Sequence, residues 1–452
     1  MVSVDSLKRE GIIMKFLITP ILLIGSIASA DTLHVPGKFA TIQSAIDYSV
    51  NGDQIHIASG TYNESLDTLG KSIQLIGVNG ALDTIVDAEG LDTSVIVMLN
   101  NEGAKTVITG LTLTGGEGYP HPFWGTLLGG AIFGYYVSPT ITDCIIEGNE
   151  AMYSAGIWLQ ESQSILDNVH FENNHTNYDS NSGAGALYAW NSSLLVTNCS
   201  FVENSGVGGG GALRCKAPTV GGDSLFQNCT FTSNSTGTYG GAVTITQAHP
   251  TFEQCTFTNN TAPSFGGAVS ISFNSQGTFR NCSFTGNDSG NGGGAIRILE
   301  CSLIIEKCNF SMNTAVFGGG GIALYGNTST AICTISGSQF EGNDGGFNGG
   351  AISHADVATS DIDSSTFCGN LPETIEGSWA DLGGNTINAS CLFFCSGDIN
   401  ASGEVNVSDI LQLIADFGDC NGIDSCFSDV NNDGLVNVSD LLLLIGDWGI
   451  CN

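Results

Sequence analysis

The sequence predicts an all-β fold, a solenoid of short parallel strands, with a small helical unit behind it. Three observations predict this: a two-part motif written nine times, period-two alternation of apolar residues between its parts, and a duplicated oxygen-rich loop near the C-terminus.

The first part of the motif is a Gly-Gly-Ala-aliphatic step. Its small corner residue falls at Ala131, Gly156, Ala186, Ala212, Ala242, Ala268, Ala295, Gly321 and Ala351. The second part is Phe-x-x-Asn, beginning at Ile146, Phe171, Phe201, Phe231, Phe257, Phe284, Phe310, Phe340 and Phe367, with Asn three residues on from Asn149 to Asn370. The stretch "GGAVTITQAHPTFEQCTFTNN" alternates as a strand does. A repeat of about 27 residues cannot bury its own apolar face, so neighbours must stack, and a parallel coil fits best. Inward Phe rings then pile up at about 4.8 Å, and turn asparagines form a hydrogen-bonded ladder. The glycines permit turns of positive φ, and the small residue after them fits a crowded corner. Nine coils plus about three earlier ones predict a rod on the order of 55 to 60 Å long.

In six repeats a cysteine stands two positions before the marker: Cys144, Cys199, Cys229, Cys255, Cys282 and Cys308. That offset turns each thiol inward with its Phe. The reading is small buried hydrophobes, because parallel side-chain vectors make a disulfide dihedral awkward and no Cys-x-x-Cys or clustered His suggests a metal.

Upstream, Thr41 to Val50 carries a short amphipathic helix signal, placed to close the open end of the coil. The segment "MKFLITPILLIGSIASA", ending at Ala30, reads as a secretory signal cleaved before Asp31, with Met14 a second candidate start. Removing residues 1 to 30 takes three of 11 basic and two of 44 acidic residues, leaving 8 minus 42, or −34. So acidic a surface repels nucleic acid and anionic lipid. Export also places the 15 cysteines where disulfides are permitted. The expected organisation is a signal (1–30), an N-terminal cap and first coils (31–128), the repeats (129–370), a C-terminal cap and linker (371–394) and the duplicated loop-helix unit (395–452).

The stretches "TIQSAID" and "GDQIHIASGTYNE" are similar to the start of right-handed parallel β-helix proteins of the pectin lyase-like superfamily. The Gly-Gly-Ala-Ile and Phe-x-x-Asn markers resemble the polymorphic outer membrane protein repeat. These resemblances span roughly residues 32 to 370 and imply a right-handed coil. Many pectin lyase-like proteins cleave acidic polysaccharides with a basic residue and bound calcium, or with clustered aspartates. Neither constellation stands out: there are four arginines, no Gly-His-Gly or paired Asp-Asp run, and seven scattered histidines, so no catalytic residue is assigned.

One strip has the character of a binding face. The residue two after each corner points outward, giving Phe133, Trp158, Tyr188, Arg214, Thr244, Ser270, Arg297, Ala323 and Ser353, and two further on lie Tyr135, Gln160, Trp190 and Lys216. Phe133, Tyr135, Trp158, Tyr188 and Trp190 can stack on sugar rings, while Arg214 and Lys216 can pair with a carboxylate or sulfate. The competing reading is that the insertion "GEGYPHPFWGT" folds over these rings and buries them.

The tail segments "GDINASGEVNVSDILQLIADFG" and "SDVNNDGLVNVSDLLLLIGDWG" are near-copies. Oxygen ligands at loop positions 1, 3, 5, 9 and 12, a backbone carbonyl at 7 and Gly at 6 make a calcium loop. Loop one offers Asp398, Asn400, Ser402, Glu404, Asn406 and Asp409, and loop two Asp429, Asn431, Asp433, Leu435, Asn437 and Asp440. With Ser402 in place of Asp433, loop one should be the weaker site. No helix signal precedes the first loop and position 12 is Asp, which departs from an EF-hand and resembles the dockerin type I module. The resemblance implies two Ca2+ ions and docking to a cohesin-like or other anchoring protein. Cysteine symmetry suggests Cys395 with Cys451 and Cys420 with Cys426, and Cys368 with Cys391 as a brace on the last coil.

The expected function is thus an exported or cell-surface rod that binds a polysaccharide or surface, attached through the calcium-dependent module, with no transmembrane segment once the signal is removed. The alternative is a secreted polysaccharide lyase or glycoside hydrolase. Acidic residues converging with Arg214 or Arg297 in one groove would favour the enzyme.

Overall fold

The computed structural model describes residues 30–121, 123, 125–177, 183–218, 222–327, 330–388, 391, 397–400, 404–419, 428–431, 435–446 and 448–450. Three long parallel sheets of 14, 12 and 13 strands run the length of the repeats, each in chain order, so every coil of the chain adds one strand to each sheet. The first sheet starts at Thr32–Val35, the second at Leu66–Asp67 and the third at Gly60–Asn63. Residues 375–388, in the segment set apart above as cap and linker, supply the last strand of the second sheet, Ile375–Glu376, then Trp379–Gly383 and Thr386–Asn388. A fourth sheet of seven two-residue strands follows the Asn positions.

The ladders form as the motif predicts. From Phe171 to Phe367, successive rings stack with centroids 4.6 to 4.8 Å apart and within 10° of parallel. Between Asn149 and Asn370 each Nδ2 donates to the Oδ1 of the Asn on the next coil at 2.9 to 3.2 Å. From Asn174 onward it also donates to the carbonyl of the aromatic or aliphatic marker on the coil before, so these buried amides are satisfied in both directions. At the corner, Gly240 has φ +68°, and a Cβ on Gly241 would lie 2.0 Å from the Gly267 carbonyl, so neither position tolerates a side chain.

The six inward cysteines are buried free thiols, and each donates to the carbonyl two residues earlier. On the next two coils Ser338 and Ser365 take over the same place, each accepting the backbone N–H of the coil before at 3.1 Å. The ladder therefore selects a small group that both donates and accepts, which is more than small hydrophobes require. Cys368 and Cys391 form a disulfide across the last coil. Cys395, Cys420, Cys426 and Cys451 lie outside the described residues.

Helix α1 (Ile42–Tyr48) starts at Thr41 with a capping box to Ser44, and buries Ile42, Ala45 and Ile46 in the main core at the end of the rod. Among the described residues no helix is long and apolar enough to cross a membrane.

Candidate functional site

Strands of the second sheet carry the outward strip. In Ile132–Tyr135, Ile157–Gln160, Leu187–Trp190 and Leu213–Lys216, the first residue joins the main core and the second leaves it. Parallel register aligns Phe133 with Trp158, Trp158 with Tyr188 and Tyr188 with Arg214. The side chains point away from the core as alternation requires, yet Phe133, Trp158, Tyr188 and Arg214 are buried, and Tyr135, Trp190 and Lys216 are partly buried. The aromatic part of the strip is covered by the hairpin Tyr119–Pro120 and Leu127–Leu128, within and after the quoted insertion: Tyr119 stacks on Phe133 at 5.4 Å and His121 meets Tyr135 edge-on at 5.5 Å. Phe133, Trp158 and Tyr188 thus belong to a second small apolar cluster with Val97, Leu128 and Ala184. Pro122 and Trp124 of the insertion lie outside the described residues.

The cover is incomplete. A cavity of about 250 Å³ remains, lined by Thr126, Leu128, Tyr153, Trp158, Tyr188, Trp190 and Lys216. Trp158 and Trp190 stack at 5.9 Å, Tyr188 lies edge-on to Trp158 at 4.4 Å, and the Lys216 ammonium stands 4.5 Å over Trp190. Trp158 Nε1 and Tyr188 Oη are buried with no hydrogen-bond partner among the described residues. Burial pushes the Tyr188 phenol up to about 12. Burial, and then the charge of Arg214, lower the proton affinity of Lys216.

Further along the same face a cavity of about 330 Å³ is lined by Gly209, Arg214, Tyr239, Thr244, Thr246, Ser270, Ser272, Phe273, Arg297 and Leu299. Arg214 and Arg297 therefore converge on one groove, and among the described residues the lining of neither cavity includes Asp or Glu. The contribution of Tyr239 and Phe273 was not legible in the strip, since Tyr239 sits in an isolated bridge to Phe265 and Phe273 in a bend, neither on its strands.

In the tail, helices α2 (Val407–Ala415) and α3 (Val438–Gly446) each follow a loop. Asp409 accepts the amides of Asn400 and Asn406, and 31 residues on Asp440 accepts those of Asn431 and Asn437. Glu404–Val405 pairs with Gly449–Ile450, and Gly418–Asp419 with Leu435–Val436, the mirror of the same contact under that offset. Ile399, Val405, Leu413, Val436 and Leu444 form a core of their own.

Residues 396–447 match the model of the dockerin type I domain, and residues 217–367 that of the right handed beta helix region. The chain is a right-handed β-helix with a dockerin type I module. No curated protein sequence matches it. Among solved structures it is similar to a Yersinia enterocolitica family 28 exopolygalacturonase, with 12% identity over 80% of this chain and 78% of that one and a TM-score of 0.49. It is also similar to the catalytic domain of an alpha-1,3-glucanase in complex with nigerose (11%, 79% and 69%, TM-score 0.44) and to an alginate lyase from Paenibacillus sp. (12%, 79% and 99%, TM-score 0.32).

A dockerin type I domain is a calcium-binding module, and the residues of this one fit the ion. Asp409 and Asp440 are fully buried carboxylates, and from position 395 to 452 the chain has ten acidic residues and no Lys, Arg or His to balance them. Buried carboxylates need a cation. Asp398, Asn400, Glu404, Asn406 and Asp409, and Asp429, Asn431, Leu435, Asn437 and Asp440, are the described residues that would hold it. Asn406 and Asn437 also cap their helices, each accepting a backbone amide two residues on at 2.8 Å. Ser402 and Asp433 lie outside the described residues.

Proposed function

We propose that this chain is an exported rod that binds a polysaccharide through the outward face of its second sheet, and that its dockerin module fastens it to a partner. The observation that carries this reading is the aromatic cavity, where Trp158 Nε1 and Tyr188 Oη are buried without acceptors among the described residues. Each unmatched buried donor costs about 1 to 3 kcal/mol. A sugar hydroxyl supplies the acceptor, and the faces of Trp158 and Trp190 take the apolar side of the ring. Binding is favoured over hydrolysis because glycoside hydrolysis works through a pair of carboxylates, and among the described residues the lining of both cavities includes none.

In this reading the module holds two calcium ions, one per loop, and each helix offers a cohesin-type partner the same apolar stripe. Val407, Leu411 and Ile414 on α2 are exposed, as are Val438, Leu442 and Ile445 on α3. The apolar leader ending at Ala30 supports export.

Affinity electrophoresis of the full chain in gels containing neutral and acidic polysaccharides tests the binding face. Retardation by at least one polymer, lost in a Trp158→Ala/Trp190→Ala variant that keeps its circular dichroism, is the expected result. Retardation that survives both substitutions would remove the face from the account.

A further inference from the structure

We infer that the second cavity, between Arg214 and Arg297, receives the acidic substituent of a sugar residue, a uronate carboxylate or a sulfate ester; this rests on the polysaccharide reading of the same face. Register places Arg214 beside Thr244, Thr244 beside Ser270 and Ser270 beside Arg297. Three strand spacings separate the backbones of the two arginines, about 14 Å along the rod. Thr244, Thr246, Ser270 and Ser272 line the floor between them, so hydroxyl groups lie where a chain bridging the two cations would run. The two cavities meet at one strand, Leu213–Lys216, which gives Lys216 to the first and Arg214 to the second.

Arg297 is held for this task. Its guanidinium carbon lies 5.0 Å from the centre of Phe265, 5.7 Å from Tyr325 and 5.8 Å from Tyr239, so three rings surround it. Nη1 reaches Ser270 Oγ at 3.5 Å, while Nε is buried with no hydrogen-bond partner among the described residues. Among the described residues no carboxylate pairs with it, in a chain of net charge −33. Arg280 shows the contrast: it faces both Glu253 and Glu306. Burial disfavours the charge of Arg297. A half-buried guanidinium set among rings on the wall of a cavity suits the planar, bidentate geometry of a carboxylate or sulfate. The cavity volume falls at the small end of ligand pockets, suited to a single sugar residue.

The test is calorimetric titration of the full chain with polymers in matched pairs: polygalacturonate against its methyl ester, and chondroitin sulfate against its desulfated form. Wild-type protein should bind the charged member of one pair at least tenfold more tightly, with a preference that shrinks as salt rises; the pair that shows it identifies carboxylate or sulfate. Arg297→Gln should bring charged and neutral members to within about twofold. Arg297→Lys, which keeps the charge but loses the fork, should fall between them and guards against a Gln variant that misfolds. Equal binding of both members, lost in Trp190→Ala, would overturn this inference and leave the polysaccharide reading standing. A charge preference unchanged in both Arg297 variants would overturn it too, and no binding to any polymer would overturn both.

Discussion

The ammonium of Lys216 stands 4.5 Å over the ring of Trp190, its register partner on the neighbouring strand. The ring shields the cation on one side and the cavity opens on the other, so the pair forms one edge of the aromatic site. Trp190→Ala removes the platform and the shield together. It is expected to weaken polysaccharide binding about tenfold, roughly 1.4 kcal/mol, with unchanged far-ultraviolet circular dichroism, in a calorimetric titration. Because Lys216 loses its proton more readily than an exposed lysine, any contribution of its charge to binding is present at neutral pH and fades at a lower alkaline pH than usual.

Calcium removal should act on the tail alone. Its core is small, and the fully buried Asp409 and Asp440 have no basic side chain in the module to offset them. Chelation is expected to lower the helical signal of α2 and α3 while the β signal of the rod persists, and returned calcium should restore it. Asp440→Ala should lower calcium affinity by at least tenfold in the same titration.

The Asn ladder should be costly to interrupt. Asn260 accepts from the backbone amide and Nδ2 of Asn234 and donates to the Phe231 carbonyl and Asn287 Oδ1. Asn260→Ala removes four bonds at a fully buried site. Urea unfolding is expected to show a loss of about 3 kcal/mol or more. A change under 1 kcal/mol would mean that water replaces the amide.

The buried thiols set an alkaline limit. Burial pushes Cys144 and Cys215 from 9.0 up to about 12. A raised thiol pKa means that the folded state favours the protonated form, so its stabilising contribution is complete below the unfolded pKa, near 9, and is lost as pH rises from there towards 12. Each such thiol should lower stability by about 1.4 kcal/mol per pH unit across that window. The urea midpoint should hold from pH 7 to 8.5 and drop steeply by pH 10.5. At pH 8 the nine buried free thiols among the described residues should resist a thiol reagent until the chain unfolds.

What the sequence made legible follows from periodicity. Phe171 to Phe367 and Asn149 to Asn370 repeat at a fixed place in each coil, and their stacking follows from the strand spacing. The outward direction of Trp158 and Tyr188 was equally readable, because alternation fixes it. Their burial was open, since it depends on whether the Tyr119 to Leu128 hairpin folds back over them, a contact that no period encodes. The aromatic cage around Arg297 was hidden for the same reason: Tyr239 and Phe265 precede the glycine corners, on coils earlier than Arg297 itself. The seven-stranded fourth sheet escaped because two residues are too few to show alternation. In sequence the cysteine ladder carries only a packing signal, and Ser338 and Ser365 continuing it show that hydrogen bonding shapes that position.

The most direct test incubates the full chain, loaded with calcium, with a panel of neutral, uronic and sulfated polysaccharides, and reads retention and new chain ends together. The account predicts retention by at least one polymer, dependent on Trp158 and Trp190, with no new reducing or unsaturated ends. Chain ends that appear with the protein and vanish in the Trp158→Ala/Trp190→Ala variant would contradict it, and so would the absence of retention across the panel.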